Sequence, residues 1–494
     1  MLDTRKNTFL RSVWLAVLLL LIVSQSSCTK KDKYGVPKGA TGLATGMNYM
    51  QPNKWEMSYR YRVKEIKPTR LFRDTNPSMW DTHTPVVGPG TYEVWVPSPP
   101  ECDEMRKVTL LSATPEPTRT EYSEEDGITW LYYDIAPDDR LPSDFMLEVT
   151  WSFYTFERYV HWDGLDVSKP YDKNSDFYKK FTREEYPIEF HAGIVKDAKA
   201  CIDPNDPDNV FKTTLNIYNA IVRDYMYDYK HMYMVPYGED GLIPTSRVWL
   251  NKRGVCDEFG NIFTAMARIN GIPARAVCGA AHIPLDEQMK SMSDEDKKIF
   301  EELNVNINEN IGPPMGHAWA EFWLEGVGWV PVDATWGKND EVISADVSPM
   351  ANRRGISYVD YYFGKMDPYR ITKFKSWNYE LLPHPRTPGA KAREPWMSLP
   401  TARYSGITDM VHGFDITHDS PVFAMMSEFT GNEVQSTLVW DMKNARQKIF
   451  HIANPPKGEV DELIKQIESE GHHFVQVPTY AWEKNFQETT YISW

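Results

Sequence analysis

The sequence predicts an α+β protein of more than one domain. Three observations carry this. Short alternating strands separated by Pro, Gly and Asp clusters run from about residue 52 to 165, a helical stretch ends in a β-hairpin before residue 337, and a proline-dense boundary lies at 383–396. A chain of 494 residues is long enough for two or three domains. The expected divisions are a leader at 1–28, a flexible tether at 29–48, a β-sandwich domain at 49–168, a core domain at 169–385 and a small C-terminal domain at 395–494, mainly β or α/β.

Residues 1–28 join a basic start (Arg5, Lys6, Arg11) to an apolar run, Val13 to Val23. The run is too short to span a bilayer and suits a signal peptide. SerSerCys28 resembles a bacterial lipoprotein cleavage site, with Gln25 where such sites prefer an aliphatic residue. The resemblance implies lipidation at Cys28, export, and a place on the periplasmic or cell-surface side of a bacterial membrane. Residues 29–48 are Lys- and Gly-rich and read as a tether.

Between 49 and 168, segments such as TyrGluValTrpVal and MetLeuGluValThrTrpSerPhe alternate in the manner of strands. From 170 the pattern turns helical, and AspProAsnAspProAspAsn (203–209) supplies caps for the helix that follows. The polar stretch 280–314 reads as a loop or short helix, and Arg353–Arg354 as a solvated surface pair. After 396, strands are expected at 414–416, 422–426, 437–440 and 449–452. Val460, Leu463, Ile464 and Ile467 mark one helix before Gly471.

The chemistry concentrates in two stretches. In RGVCDEFGNIFTAMARINGIPARAVCG (253–279), Phe259, Ile262, Phe263, Met266 and Ile269 recur at helical spacing, and Gly271 and Pro273 end the helix. Cys256 stands at the helix start, where unpaired N–H groups and the helix dipole are expected to favour a thiolate. In MGHAWAEFWLEGVGWVPVDATWG (315–337), two alternating runs flank GluGlyValGly and form a hairpin. A three-residue loop, Glu325 to Val327, pairs Leu324 with Gly328 and puts His317 and Asp333 on one face. A two-residue loop puts them on opposite faces. In the odd register Asp333 can orient the imidazole, and His317 can deprotonate Cys256. Taken singly, a helix-start cysteine is more often a small buried hydrophobe, and a HisAlaTrp on a strand more often core.

Together the motifs resemble the transglutaminase-like superfamily of papain-like cysteine enzymes, through GlyValCys256, His317AlaTrpAlaGlu321 and GlyTrpValProValAsp333. The resemblance implies a papain-like core and a Cys256–His317–Asp333 triad. It further implies a cysteine amide hydrolase or acyltransferase on peptide or glutamine-type amides, needing no cofactor. AspAlaThr stands where AspProThr is common. Tyr227, Tyr229 and Trp249 are the candidates for an oxyanion donor upstream of the cysteine. A fold-retaining binding or scaffold lipoprotein with an idle triad is the alternative.

Composition narrows the partners. The net charge, 54 basic against 69 acidic residues or −15, argues against nucleic acid. No CxxC or paired-histidine spacing supports a metal site. Cys102, Cys201 and Cys278 have no chemistry assigned, and nothing requires a Cys102–Cys201 disulfide. Most of the 17 tryptophans sit in strand-like segments and read as core.

Overall fold

The computed structural model describes residues 43–63, 86–87, 92–135, 145–168, 171–228, 243–281, 315–338, 356–384 apart from 376 and 378, 393–394, 401–404, 407–408, 416–417, 446–452, 456–475 and 488–491. The leader with Cys28, Tyr229, the Arg353–Arg354 pair, most of the 280–314 stretch and the strands expected at 422–426 and 437–440 lie outside these residues.

Two sheets, antiparallel among their N-terminal strands, occupy the N-terminal part. Strand β1 (Gly46–Val63) takes in the last three residues of the expected tether, 46–48. Burial alternates along 51–57, with Trp55 and Met57 inward and Lys54 and Glu56 outward, as one buried face requires. Strands β2 (Tyr92–Pro97), β3 (Met105–Thr114), β4 (Arg119–Ser123), β5 (Ile128–Ile135) and β6 (Phe145–His161) follow. Strand β6 pairs with β1 from Gly46↔His161 to Val63↔Phe145, and β3 lies on its other side. The second sheet runs β2–β5–β4 and takes in 401–404 and 416–417.

Helices α1 (Asp176–Thr182), α2 (Ala192–Ala200) and α3 (Val210–Asp224) open the core. Asn209 caps α3 by accepting from the Lys212 N–H, as the 203–209 stretch predicts. Helices α4 (Thr245–Asn251) and α5 (Cys256–Ile269) lead into a four-stranded antiparallel sheet. Its strands are β7 (Ala274–Ala281), β8 (Met315–Leu324), β9 (Gly328–Val332) and, past α6 (Tyr358–Tyr361) and β10 (Lys365–Met366), β11 (Arg370–Phe374). The order is β9–β8–β7–β11. Phe259, Ile262, Phe263 and Met266 turn the buried stripe of α5 onto this sheet, with Phe263 against Phe322. Gly260 permits the approach: a Cβ there would stand 2.9 Å from the Trp319 carbonyl oxygen.

The chain's last part returns to the first sheet. Strand β12 (Arg446–Ile452) pairs with β1, helix α7 (Lys457–Ser469) follows, and β13 (His473–Val475) runs parallel to β1. Strand β10 joins the same sheet through Lys365↔Tyr159. Residues from both ends of the chain therefore build one sheet. Cys102, Cys201, Cys256 and Cys278 are free thiols.

A buried charge network joins core to sheet. The fully buried Arg158 of β6 meets Glu321 of β8 at 2.7 Å and Glu104 at 3.5 Å. Lys375 bridges the two carboxylates at 3.1 and 2.7 Å, and Arg275 holds the far oxygen of Glu321 at 2.7 Å. Burial pushes the Glu321 carboxyl up, but Lys375, Arg275 and Arg158 outweigh it and keep it below the usual range. A buried ion network adds little over an apolar one, yet breaking it strands charges. Glu321→Gln leaves Arg158 and Lys375 to share Glu104 and takes the carboxylate from Arg275, so about 3–5 kcal/mol of stability should be lost. Urea unfolding checks this, and a midpoint equal to that of the parent would remove the network from the stability account.

Candidate active site

The hairpin closes in the register the site needs. Leu324 pairs with Gly328 and Ala320 with Val332, with the Val327 N–H bonded back to the Leu324 carbonyl. Gly326 and Gly328 both take positive φ, 78° and 99°, which a three-residue loop at this twist requires. His317 and Asp333 are thereby brought together, Nε2 to Oδ2 at 2.7 Å, both buried. The other oxygen of Asp333 accepts the Thr335 and Trp336 amides at 3.1 and 3.0 Å. With Nε2 on the carboxylate, Nδ1 is the imidazole nitrogen left for a reacting group. Trp336 at 5.2 Å and Trp319 at 6.1 Å flank the ring.

Cys256 opens α5 and is half-buried. Its sulfur accepts from the Ala318 N–H, one residue along from His317. The Glu258 carboxylate reaches back to the Val255 N–H and fixes the helix start. The three residues named from the two motifs thus converge where α5 meets β8 and β9.

With this geometry in place, the comparisons bear on it. Residues 200–334 match the transglutaminase-like superfamily. This segment is a transglutaminase-like core. An uncharacterized protein of Haemophilus influenzae is 31% identical over 141 residues, covering 27% of this chain and 34% of that protein. The chain thus spans about a third of that relative's length. A structure from Cytophaga hutchinsonii, provisionally described as a cysteine protease, is 15% identical over 59% of this chain and 78% of its own, with a TM-score of 0.35. The periplasmic domain of TgpA from Pseudomonas aeruginosa is 12% identical over 62% of this chain and 98% of its own, with a TM-score of 0.26. The superfamily consists chiefly of cysteine enzymes.

The electrostatics of the transglutaminase-like core depart from the sequence expectation in one respect. Burial, then Asp257, pushes the Cys256 thiol well up, with Glu258 and Asp333 adding to it and only the Ala318 N–H opposing. A helix terminus contributes about 0.3–1 kcal/mol, too little to offset desolvation beside three carboxylates. The surroundings of Cys256 thus push toward the thiol, against the pull toward a thiolate that its place at the helix start exerts. Burial likewise lowers the basicity of His317, aided by Arg370 and opposed by Asp333. Both shifts favour a neutral thiol–imidazole pair. Asp333 is itself pushed up by burial, but His317 and Arg370 hold it below the usual carboxylate range.

The oxyanion candidates separate. The Trp249 indole N–H donates to Asp197 at 2.7 Å, which commits it elsewhere. Tyr227 pairs its backbone with Gly254, and its ring lies 6.2 Å from Phe259, close to the cysteine turn. Tyr229 is outside the described residues. Cys278 lies opposite Ala318 on β7, with its thiol pushed well up by burial.

Sequence reasoning passed over Arg370. Its guanidinium meets Asp333 Oδ2 at 2.9 Å and Asp367 Oδ2 at 3.0 Å, and stacks on Trp336 at 3.8 Å. No motif marks it; sheet pairing alone brings it to the site. Among the described residues no cluster of His, Cys, Asp and Glu could hold a metal ion, and no helix is long and apolar enough to cross a membrane.

Proposed function

We propose that this protein is a cysteine amide hydrolase acting on peptide or glutamine-type amides through a thioacyl-enzyme. The observation that carries the reading is the buried His317–Asp333 pair, one residue from the amide that contacts the Cys256 sulfur. In this reading the thiol of Cys256 gives its proton to His317 Nδ1 as the sulfur bonds to the carbonyl carbon. The C–N bond then breaks, and the imidazolium delivers that proton to the departing amine. Water attacks the thioester with His317 again as base, releasing the acid and restoring the thiol. Asp333 accepts from Nε2–H throughout and favours the imidazolium as it forms.

The Cys256 N–H, at the first turn of α5, and Tyr227 are the candidate oxyanion donors; each such donor is typically worth ~3 kcal/mol. Hydrolysis is favoured over transfer to an amine because the sequence carries no recognisable amine-binding motif and water is in vast excess. The neutral thiol favours a second reading, a scaffold lipoprotein with an idle triad, since a preformed thiolate is what activates many such cysteines. The buried, fully partnered Asp333 favours the enzyme. In either reading Cys28 carries the lipid that holds the protein to the cell envelope.

Turnover separates the two readings. Cys256→Ala should abolish release of amine from peptide and glutamine-rich substrates with little change in melting temperature. His317→Ala should abolish it as well while lowering the melting temperature, because Asp333 loses a buried partner. Asp333→Asn should lose up to ~10⁴-fold. Activity surviving in Cys256→Ala would end the proposal. Stable incorporation of a labelled primary amine, dependent on Cys256, would replace hydrolysis by transfer. For the anchor, a fatty-acid analogue should label the protein metabolically and Cys28→Ser should remove the label; a label that persists contradicts the lipid site.

A further inference from the structure

Asp333 stands in the middle of a charge chain, not at its end. Strand pairing sets Gly279 opposite both His317 and Thr372, and Ala281 opposite Arg370, so His317 and Arg370 share one face of the central sheet. Gly279 lets β11 close in on β7 here: a Cβ there would stand 3.0 Å from the Trp319 ring and closer still to the Ile371 carbonyl. The Arg370 side chain is 1% exposed. Its Nη1 lies 2.9 Å from the same Asp333 oxygen that receives His317.

The guanidinium cannot turn away from this contact. Its Nε donates to Asp367 at 3.0 Å, and Asp367 is held in turn by the Tyr369 N–H at 3.1 Å. Its plane lies on Trp336 at 3.8 Å, which accounts for the terminal nitrogens making ion-pair and stacking contacts without an aligned hydrogen bond.

We propose that Arg370 is a positioning residue of this site, fixing the Asp333 carboxylate toward His317 and drawing part of its charge away from the imidazole. The role rests on the reading of His317 as the base. The charged groups that act on the imidazole are Asp333 and Arg370, with Asp367 behind them, while Asp257 and Glu258 of the helix packed on the sheet act on Cys256. With Arg370 present, Asp333 and Asp367 carry one uncompensated negative charge between them. Without it they carry two, and a proton on His317 becomes easier to hold. Arg370 thus keeps the base weak enough to return its proton to a leaving amine, at the cost of a resting thiolate. It lies outside the matched segment 200–334, so this element of the site belongs to the chain beyond that segment.

The test uses the full chain with labelled histidine rings followed by NMR, the His317 signal being assigned by its loss in His317→Gln. In Arg370→Met the His317 ring should titrate at higher pH than in the parent. The acid limb of kcat/KM should move the same way, and kcat should fall about tenfold or more from lost orientation, with KM little changed. Arg370→Lys keeps the charge without the fork, so its His317 titration should stay near that of the parent while kcat still falls. If Arg370→Met does not fold, Arg370→Gln takes its place. A folded, uncharged variant whose His317 titration does not move overturns the inference. A shifted titration in a protein that turns over no amide leaves the inference standing and removes the hydrolase reading instead.

Discussion

One hairpin register carries this site. Because side chains alternate along a strand, a loop one residue shorter between Leu324 and Gly328 would send Asp333 to the face opposite His317. The observed loop leaves a carboxylate and an imidazole buried at 2.7 Å, and each compensates the cost of burying the other. The neighbouring features serve that pair. The Thr335 and Trp336 amides fill the second carboxylate oxygen, Trp319 and Trp336 flank the ring, and Gly260 lets the cysteine helix down onto the strand beside it.

The same strand does two jobs on one face. His317 belongs to the site, and four residues later Glu321 belongs to the buried network with Arg158, Lys375 and Arg275. Strand β8 is thereby tied at one end to chemistry and at the other to the sheet built from both ends of the chain. That arrangement gives the N-terminal strands a physical route to the site: a shift of β6 relative to β8 would disturb the partners of Glu321 before it reached His317.

Much of the site was legible in the sequence because its signals are local. Apolar residues at helical spacing place Cys256 at a helix start, and alternation around GluGlyValGly places His317 and Asp333 on one hairpin. What stayed hidden depends on long-range pairing. Arg370 reaches Asp333 only because β11 pairs with β7, two strands away from Asp333, and nothing in LysMetAspProTyrArg announces it. The return of β12 and β13 to β1 is equally non-local. The push on the Cys256 thiol was hidden in part for a related reason: Asp257 and the helix end are local to α5, whereas desolvation and the Asp333 charge come from packing against the sheet. Trp249 was a reasonable oxyanion candidate by position, but Asp197 takes its indole N–H.

The central claim is that the surroundings push Cys256 and His317 toward a neutral pair, burial with Asp257 and Asp333 acting on the thiol, and burial with Arg370 acting on the imidazole against the pull of Asp333. The most direct measurement is the rate of iodoacetamide alkylation at each cysteine against pH, read by peptide-resolved mass spectrometry on the folded chain. The account predicts that Cys256 reacts slowly near neutrality and that its rate climbs only above the ordinary thiol range, about pH 8.5. A Cys256 alkylated fully and fast at or below neutral pH would mean a resting thiolate, and would contradict the account.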